Sequence, residues 1–169
     1  MTPVPPRSAN RTTAWTFGPM EPVAKCCSAA MLAAGYVVVC SGGGGVPTVR
    51  REDGTLEGVE AVIDKDLTAA LLAQVLEAQL LVIATDVDGV VTGWGTPEAQ
   101  PVGEVDAATM RRIAAEQQFA AGSMGPKVQA VVRFAERGGT GVIAALDNLA
   151  AAVAGHAGTR VVPSHPSTS

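Results

Sequence analysis

Two of the three lysines in the chain stand among residue types that suit a phosphate site. Lys65 lies between Asp64 and Asp66, where the sequence predicts the start of a helix. An ammonium group beside the free N–H groups of a helix start can gather phosphate oxygens. A capping aspartate next to a solvated lysine is the alternative interpretation, and this segment alone leaves both open.

The other lysine of interest, Lys127, follows Ser123, Met124 and Gly125 and falls in the first turn of another predicted helix. A cation at that position opposes the helix dipole, and an anionic ligand would remove the conflict. We therefore favour a second phosphate site here over an uncompensated surface lysine.

A glycine run follows directly on the apolar segment 36–40. Without Cβ atoms, backbone N–H groups can approach an anion closely, so the run predicts a phosphate loop. It matches neither GxxxxGK[ST] nor GxGxxG, and a tight turn is the alternative. Its members are Gly42, Gly43, Gly44 and Gly45.

An acidic segment follows the apolar run 80–84 and consists of Thr85, Asp86, Val87 and Asp88. Carboxylates at the end of a buried strand can hold ribose hydroxyls or a magnesium-bound phosphate. An acidic turn between two apolar strands is the alternative. Trp94, a few residues further on, could lie along an adenine ring or simply anchor a loop.

The elements that must position these residues alternate along the chain. Continuous apolar runs predict buried strands, and amphipathic or small-residue patterns bounded by caps and glycines predict helices. The strands are expected at 36–40, 80–84, 140–144 and 159–162, and the helices at 24–34, 66–78, 106–120, from 123 or 124 to about 137, and 147–154.

This alternation predicts an α/β protein, a three-layer αβα sandwich with a mostly parallel sheet and ligands at the carboxyl ends of the strands. One segment interrupts it, because Asp53 and Gly54 fit a two-residue hairpin turn between 46–50 and 56–62.

Composition excludes several classes of protein. Hydrophobic residues make up 47% and charged residues 17%, which is typical of a globular chain. The net charge of −4 provides no basic surface for nucleic acid. The three cysteines and two histidines form no metal-ligand pattern, and no apolar run is long enough to span a bilayer. We expect a cytoplasmic protein without a membrane or nucleic-acid partner.

In this order, the motifs resemble the carbamate kinases of the amino acid kinase family. The resemblance rests on SGGGGVP, GVEAVIDKDLTAALLA, LLVIATDVDGVVTGWGTP, GSMGPKVQAVVRFAERGG and AGTRVVP. It covers most of the chain and implies a partial amino acid kinase fold. The expected organisation is an irregular lead-in over 1–22, the nucleotide-binding C-terminal part of a kinase domain over 23–163, and a tail over 164–169.

The resemblance implies reversible phosphoryl transfer between ATP and carbamate, giving ADP and carbamoyl phosphate, with Mg²⁺ held through the nucleotide phosphates. Lys65 and Lys127 are similar to the family's two phosphate-stabilising lysines, and Asp66 is similar to the aspartate that orients them. The acidic segment, Trp94 and Met124 resemble the surroundings of the nucleoside. A homodimer is expected by the same resemblance.

One departure from the family leaves alternatives open. The family's first half, with a GGN loop, a carbamate-binding HGNGPQ stretch and a further catalytic lysine, has no counterpart here. We therefore expect that this chain is truncated and by itself lacks residues needed to complete the reaction. A non-catalytic nucleotide-binding or assembly fragment that needs a separate N-terminal half is one alternative, and another kinase of the amino acid kinase family is a second.

Overall fold

The computed structural model describes residues 22–39, 46–117, 119 and 124–164 of the chain. The chain divides into two compact units, Met1–Ile63 and Asp64–Ser169. Most of the predicted lead-in and tail, and the predicted glycine loop, lie outside the described residues. Of the helices that the structure describes, none combines the length and apolar character that crossing a bilayer requires.

The described part of the first unit contains a helix and a hairpin. Helix α1 spans Pro22–Ala33 and ends before Gly35, whose φ of +83° favours glycine and allows the chain to leave the helix. Strands β1 (Thr48–Arg50) and β2 (Leu56–Gly58) pair antiparallel. The predicted hairpin is confirmed, but its turn is longer than two residues and Gly54 adopts a φ of +85°.

The predicted strand over 36–40 is wrong for its described residues. Tyr36 to Val39 belong to no strand, and residue Val37 is almost fully exposed at 93%. The apolar, β-branched pattern requires neighbouring strands on which to pair and bury. No such partner is present for this segment among the residues that the structure describes.

The second unit contains the elements that position Lys65, Asp66, Lys127 and the acidic segment. Its elements are α2 (Lys65–Val75), β3 (Leu80–Thr85), β4 (Val91–Thr92), β5 (Gln100–Pro101), β6 (Glu104–Asp106), α3 (Ala107–Gln117), α4 (Met124–Ala135), β7 (Thr140–Ala145), α5 (Leu149–Val153) and β8 (Thr159–Val162).

The second unit contains a four-stranded sheet with the order β3-β7-β8-β6. Strands β3 and β7 are parallel, as are β6 and β8, whereas β7 and β8 are antiparallel. The predicted α/β fold with a mostly parallel sheet is confirmed. Sequence patterns did not predict β6 or the small β4–β5 hairpin, because strands of two or three residues are too short for a periodicity.

Apolar side chains cover both faces of the sheet, as a three-layer arrangement requires. On one face, Ile83 and Ile143 join a cluster with buried residues of α2, α3 and α4. On the other face, Val142 and Ala144 pack with Ala152 of α5. Alternate residues of each strand thus pack against opposite helical layers. Because both faces are buried, the sequences of these strands are continuous apolar runs.

Asp106 stabilises the start of α3. Its carboxylate accepts hydrogen bonds from the N–H and the hydroxyl of Thr109, at 3.0 and 2.7 Å, and from the hydroxyl of Ser164 at 3.2 Å. The backbone and side-chain hydrogen bonds from Thr109 lower the pKa of Asp106 from 3.8 to about 2. The helix predicted to begin at Asp106 is confirmed, with Gln117 as its last residue.

We predict a pH-dependent effect of Asp106→Asn. Because the folded-state pKa is lowered, the charged carboxylate stabilises the fold fully above pH 3.8, and this contribution is lost as the pH falls to about 2. The difference in free energy of unfolding between the two proteins should therefore be constant well above pH 3.8 and shrink as the pH falls from 3.8 to about 2. Urea unfolding between pH 2 and 6 measures it, and a pH-independent difference would contradict the prediction.

Helix α4 packs very close to strand β7 at Gly141. A Cβ added to Gly141 would lie 2.5 Å from Val131 Cβ and 2.9 Å from Val131 Cα. Because one of these atoms belongs to the backbone of α4, no side-chain rotation can relieve the clash.

We predict that Gly141→Ala lowers the free energy of unfolding by about 1–3 kcal/mol, the usual cost of overpacking a core. Gly103→Ala is the matched control, because a Cβ at Gly103 would meet no atom within 4 Å. Urea unfolding of both variants measures the difference. Equal stability of the two would show that α4 can move away from the sheet.

Candidate active site

The structure brings Lys65 and Lys127 to the same carboxylate. Lys127 Nζ lies 2.8 Å from Asp66 Oδ2, and Lys65 Nζ lies 3.4 Å from the same oxygen. The side chains of Lys127 and Asp66 are only 8% and 10% exposed, whereas that of Lys65 is 66% exposed. Two ammonium groups therefore meet at one point, one buried and one open to solvent.

The cap of α2 determines which way Asp66 points. Asp64 Oδ1 accepts hydrogen bonds from the backbone N–H groups of Asp66 and Leu67, both at 2.9 Å. The capping interpretation is therefore correct for Asp64, and the cap fixes the first turn of the helix. In that turn Asp66 is buried on the core side of α2, while Lys65 remains exposed.

The apolar stripe of α4 carries Lys127 into the interior. Lys127, Val131 and Phe134 are buried and follow the i, i+4, i+7 spacing of one helix face. Packing the stripe against the sheet therefore buries the lysine as well. A buried ammonium is costly unless it is paired, and Asp66 is its partner.

Topology places the starts of both helices at the carboxyl edge of the sheet. Short turns join α2 to β3 and α4 to β7, so each helix runs back along its strand. Because β3 and β7 are parallel neighbours, the N-termini of α2 and α4 lie near the edge where both strands end. Ligands of open α/β sheets bind at that edge.

The predicted acidic segment leaves β3 at the same edge. Thr85 is the last residue of β3 and donates a hydrogen bond from its hydroxyl to Asp86 Oδ1 at 3.0 Å. Asp88 Oδ1 accepts a hydrogen bond of 3.1 Å from Asn148 Nδ2, in the turn that follows β7. Asp86 and Asp88 are exposed and Val87 is half-buried, so both carboxylates are accessible to a ligand.

The remaining predicted site residues are exposed or half-buried, or lie outside the described part of the chain. Trp94 lies in the loop after β4 and is 75% exposed as a residue. Met124 and Gly125 form the half-buried start of α4. Ser123 and Gly42 to Gly45 lie outside the described residues, so their predicted roles stay predictions.

Sequence reasoning missed two residues that organise the acidic segment. Thr159 is fully buried, accepts a hydrogen bond from Val90 N at 2.8 Å, and donates one to Val102 O at 2.5 Å. Asn148 bonds to Asp88. The position of Asn148 just beyond a predicted strand end was an available signal. Nothing in the pattern around Thr159 distinguished it from a strand residue.

The structure gives no dedicated metal site in the part of the chain that it describes. No group of three or more His, Cys, Asp or Glu side chains there could hold an ion. Instead, two ammonium groups, a buried carboxylate and two exposed acidic side chains mark the carboxyl edge of the sheet. Such an edge suits an anionic phosphate group attached to a hydroxyl-bearing sugar.

Comparison with known families agrees with this arrangement. The model of the amino acid kinase family matches residues 3–145, so the chain belongs to this family, and the predicted membership is confirmed. Within the family, it is similar to carbamate kinases. Those of Thermoplasma volcanium and Rhizobium meliloti are 43% and 51% identical to it, over 120 and 108 residues.

A solved relative shares the fold. The structure of the carbamate kinase from Giardia lamblia bound to AMP-PNP matches with a TM-score of 0.76 and 34% identity, covering 84% of this chain and 50% of that chain. The aligned regions cover 70% and 63% of this chain but 39% and 32% of the Thermoplasma and Rhizobium proteins. The chain thus spans about two fifths or less of these curated relatives.

We predict strong energetic coupling between Asp66 and Lys127. Asp66→Ala should lower the free energy of unfolding by about 3–5 kcal/mol, because it leaves the Lys127 ammonium unpaired in the interior. Lys127→Met should lower it by less, since the Asp66 carboxylate keeps the exposed Lys65 as a partner. The double variant should lose clearly less than the sum, since both members of the pair are then gone. Urea unfolding of the four proteins measures the coupling.

The surface pair Arg111–Glu136 is the matched control, because its side chains are 64% and 37% exposed. Its double-variant cycle, with Arg111→Met and Glu136→Gln, should give a coupling below about 1 kcal/mol. A coupling between Asp66 and Lys127 as small as this would mean that their ion pair is not held in solution.

Proposed function

We propose that this chain is the nucleotide-binding part of a carbamate kinase, which transfers a phosphoryl group reversibly between ATP and carbamate. The single observation that carries the proposal is the convergence of Lys65 and Lys127 on Asp66 at the carboxyl edge of the sheet. The similarity to carbamate kinases of two organisms supports the choice of carbamate as the acceptor.

The chemistry requires little more than position and positive charge. In phosphoryl transfer, negative charge is spread over the oxygens of the moving group, and catalysis depends mainly on holding and stabilising it. Lys127 supplies an ammonium group whose position is fixed by burial and by Asp66. Lys65 supplies a second one that is open to an incoming phosphate. Asp66 orients both lysines through one oxygen atom and itself does not bind the phosphate.

The nucleoside would lie over the end of β3. The exposed carboxylates of Asp86 and Asp88 can accept hydrogen bonds from ribose hydroxyls. We assign the base to the surroundings of Val87, Trp94 and Met124. The Giardia relative with bound AMP-PNP supports a nucleotide site in this fold.

We assign further phosphate contacts to Ser123, to Gly125 in the first turn of α4, and to Gly42 to Gly45. Magnesium fits this site as an ion carried by the phosphates, because Asp64 already caps α2 and Asp66 already faces two ammonium groups. When bound, Mg²⁺ would neutralise charge on the phosphate oxygens.

The cellular setting is part of the proposal. We propose that the protein is cytoplasmic and that it forms a homodimer, as expected from the family resemblance. The net charge of −4 supports the absence of a nucleic-acid partner.

A second candidate function is that of a nucleotide-binding fragment, and the alignments cover 39% and 32% of the curated relatives. In this case the chain would bind a nucleotide but turn over only beside a separate polypeptide that carries the N-terminal half. The two functions are distinguished by measuring ATP formation from ADP and carbamoyl phosphate with this chain alone and after mixing it with the N-terminal half of the Thermoplasma enzyme. Turnover only in the mixture would identify the second function.

We predict that the folded fraction of Lys127→Ala binds Mg-ADP roughly tenfold or more weakly than the unsubstituted 169-residue chain does, the range expected for loss of a charged hydrogen bond. The substitution should also abolish turnover, both in the chain alone and in its mixture with the N-terminal half, wherever the unsubstituted chain is active. Isothermal titration calorimetry and the coupled ATP assay measure the two effects.

Arg133→Ala provides the control, since it removes an exposed cation from the last turn of the same helix. It should bind Mg-ADP as the unsubstituted chain does. Unchanged binding and turnover in Lys127→Ala would contradict the proposed role. Failure of the unsubstituted chain to bind any nucleotide would contradict the proposed function itself.

A further inference from the structure

The hydroxyl of Thr159 joins the start of β8 to two segments much earlier in the chain. It accepts a hydrogen bond from Val90 N, which follows the acidic segment, and donates one to Val102 O, which precedes β6. Thr159 itself is the first residue of β8, and all of its surface is buried. Both hydrogen bonds are therefore shielded from water, where a missing partner is most costly.

The chain is closely packed around this hydroxyl. A Cβ added to Gly89 would lie 2.9 Å from Thr159 Oγ1 and 3.1 Å from Thr159 N. The preceding Gly158 has a φ of +80°, and a Cβ there would approach Ile143 O to 2.6 Å. Because Gly89 and Gly158 have no side chains, the backbone that follows the acidic segment can lie directly against the start of β8.

These contacts hold the acidic segment at three points. At its beginning, Thr85 pairs with Ala145 of β7 in the parallel ladder. In its middle, Asp88 bonds to Asn148. Two residues beyond its end, Val90 bonds to Thr159. Of the two side-chain contacts, that to Thr159 is buried whereas that to Asn148 is exposed, so Thr159 contributes the more protected anchor.

We infer that Thr159 is a positioning residue for nucleotide binding, because its hydroxyl holds the segment from Thr85 to Gly89 in place beneath the nucleoside. The inference rests on the proposed function, in which Asp86 and Asp88 receive the ribose. Thr159 does not touch the nucleotide in this arrangement. Packing alone could be provided by valine, which has the same shape but cannot bond to Val90 N or Val102 O.

The test compares Thr159→Val with Thr159→Ser in the 169-residue chain. Thr159→Val keeps the shape and removes the hydroxyl, whereas Thr159→Ser keeps the hydroxyl. Thr109→Val is the matched control, because it makes the same chemical change at a hydroxyl that bonds to Asp106, outside the acidic segment. The measurements are hydrogen exchange of the Val90 amide, binding of Mg-ADP, and binding of inorganic pyrophosphate.

We expect Thr159→Val to speed exchange of the Val90 amide roughly tenfold, the factor that corresponds to loss of one buried hydrogen bond. Binding of Mg-ADP should weaken by about fivefold or more, within the same range. Binding of pyrophosphate should not change, since Lys65 and Lys127 remain in place. Thr159→Ser should restore both exchange and Mg-ADP binding, and Thr109→Val should alter neither.

This selectivity separates positioning from a general loss of structure. If Thr159→Val weakens pyrophosphate and Mg-ADP binding equally, the hydroxyl supports the whole fold and the inference is overturned. It is also overturned if Val90 exchange rises while Mg-ADP binding is unaffected.

If Thr159→Val does not fold, Gly89→Ala takes its place, because the added Cβ displaces the segment without removing the hydroxyl. It should weaken Mg-ADP binding and spare pyrophosphate binding, and any other result overturns the inference.

Failure of the proposed function gives a different result. In that case the unsubstituted chain does not bind Mg-ADP, and the inferred role of Thr159 in nucleotide binding is contradicted as well. Val90 exchange in Thr159→Val and Thr159→Ser would still decide whether the hydroxyl holds the segment.

Discussion

The arrangement of the candidate site depends on one buried ion pair. Lys127 and Asp66 have lost almost all contact with water, and each compensates for the desolvation of the other at a distance of 2.8 Å. The pair joins the first turn of α2 to the first turn of α4, so it ties together the two helix starts at the carboxyl edge of the sheet. Lys65 is then placed by its neighbour, because it contacts the same carboxylate oxygen from the solvent side.

A second set of contacts organises the other half of that edge. The acidic segment after β3 is held by the turn after β7 and by the start of β8, through Asn148 and Thr159. These contacts are neutral or singly charged, and one of them is buried. The edge thus combines a cationic region with an exposed acidic region. In the proposed function the first receives phosphate and the second receives sugar hydroxyls, two groups that a nucleotide presents together.

Much of the fold could be predicted because local interactions determine it. Residues within four positions of each other form the caps at Asp64 and Asp106, and the apolar runs of β3 and β7 identify buried strands. The same reasoning failed at Tyr36 to Val39, where a strand-like pattern has no strand beside it among the described residues. It also missed that β8 runs antiparallel to β7, because an apolar pattern predicts a strand but not the direction in which it pairs.

For the site, the sequence by itself determined that lysine chemistry must come from very few residues, and that two of these lie at predicted helix starts beside acidic or glycine-rich neighbours. Only the tertiary structure decided that Lys127 pairs with Asp66, which lies 61 positions earlier. It likewise decided that Thr159 bonds to Val90, 69 positions away. Such contacts arise when packed helices and strands bury polar groups that must then find partners, and no local pattern encodes which partner is nearest.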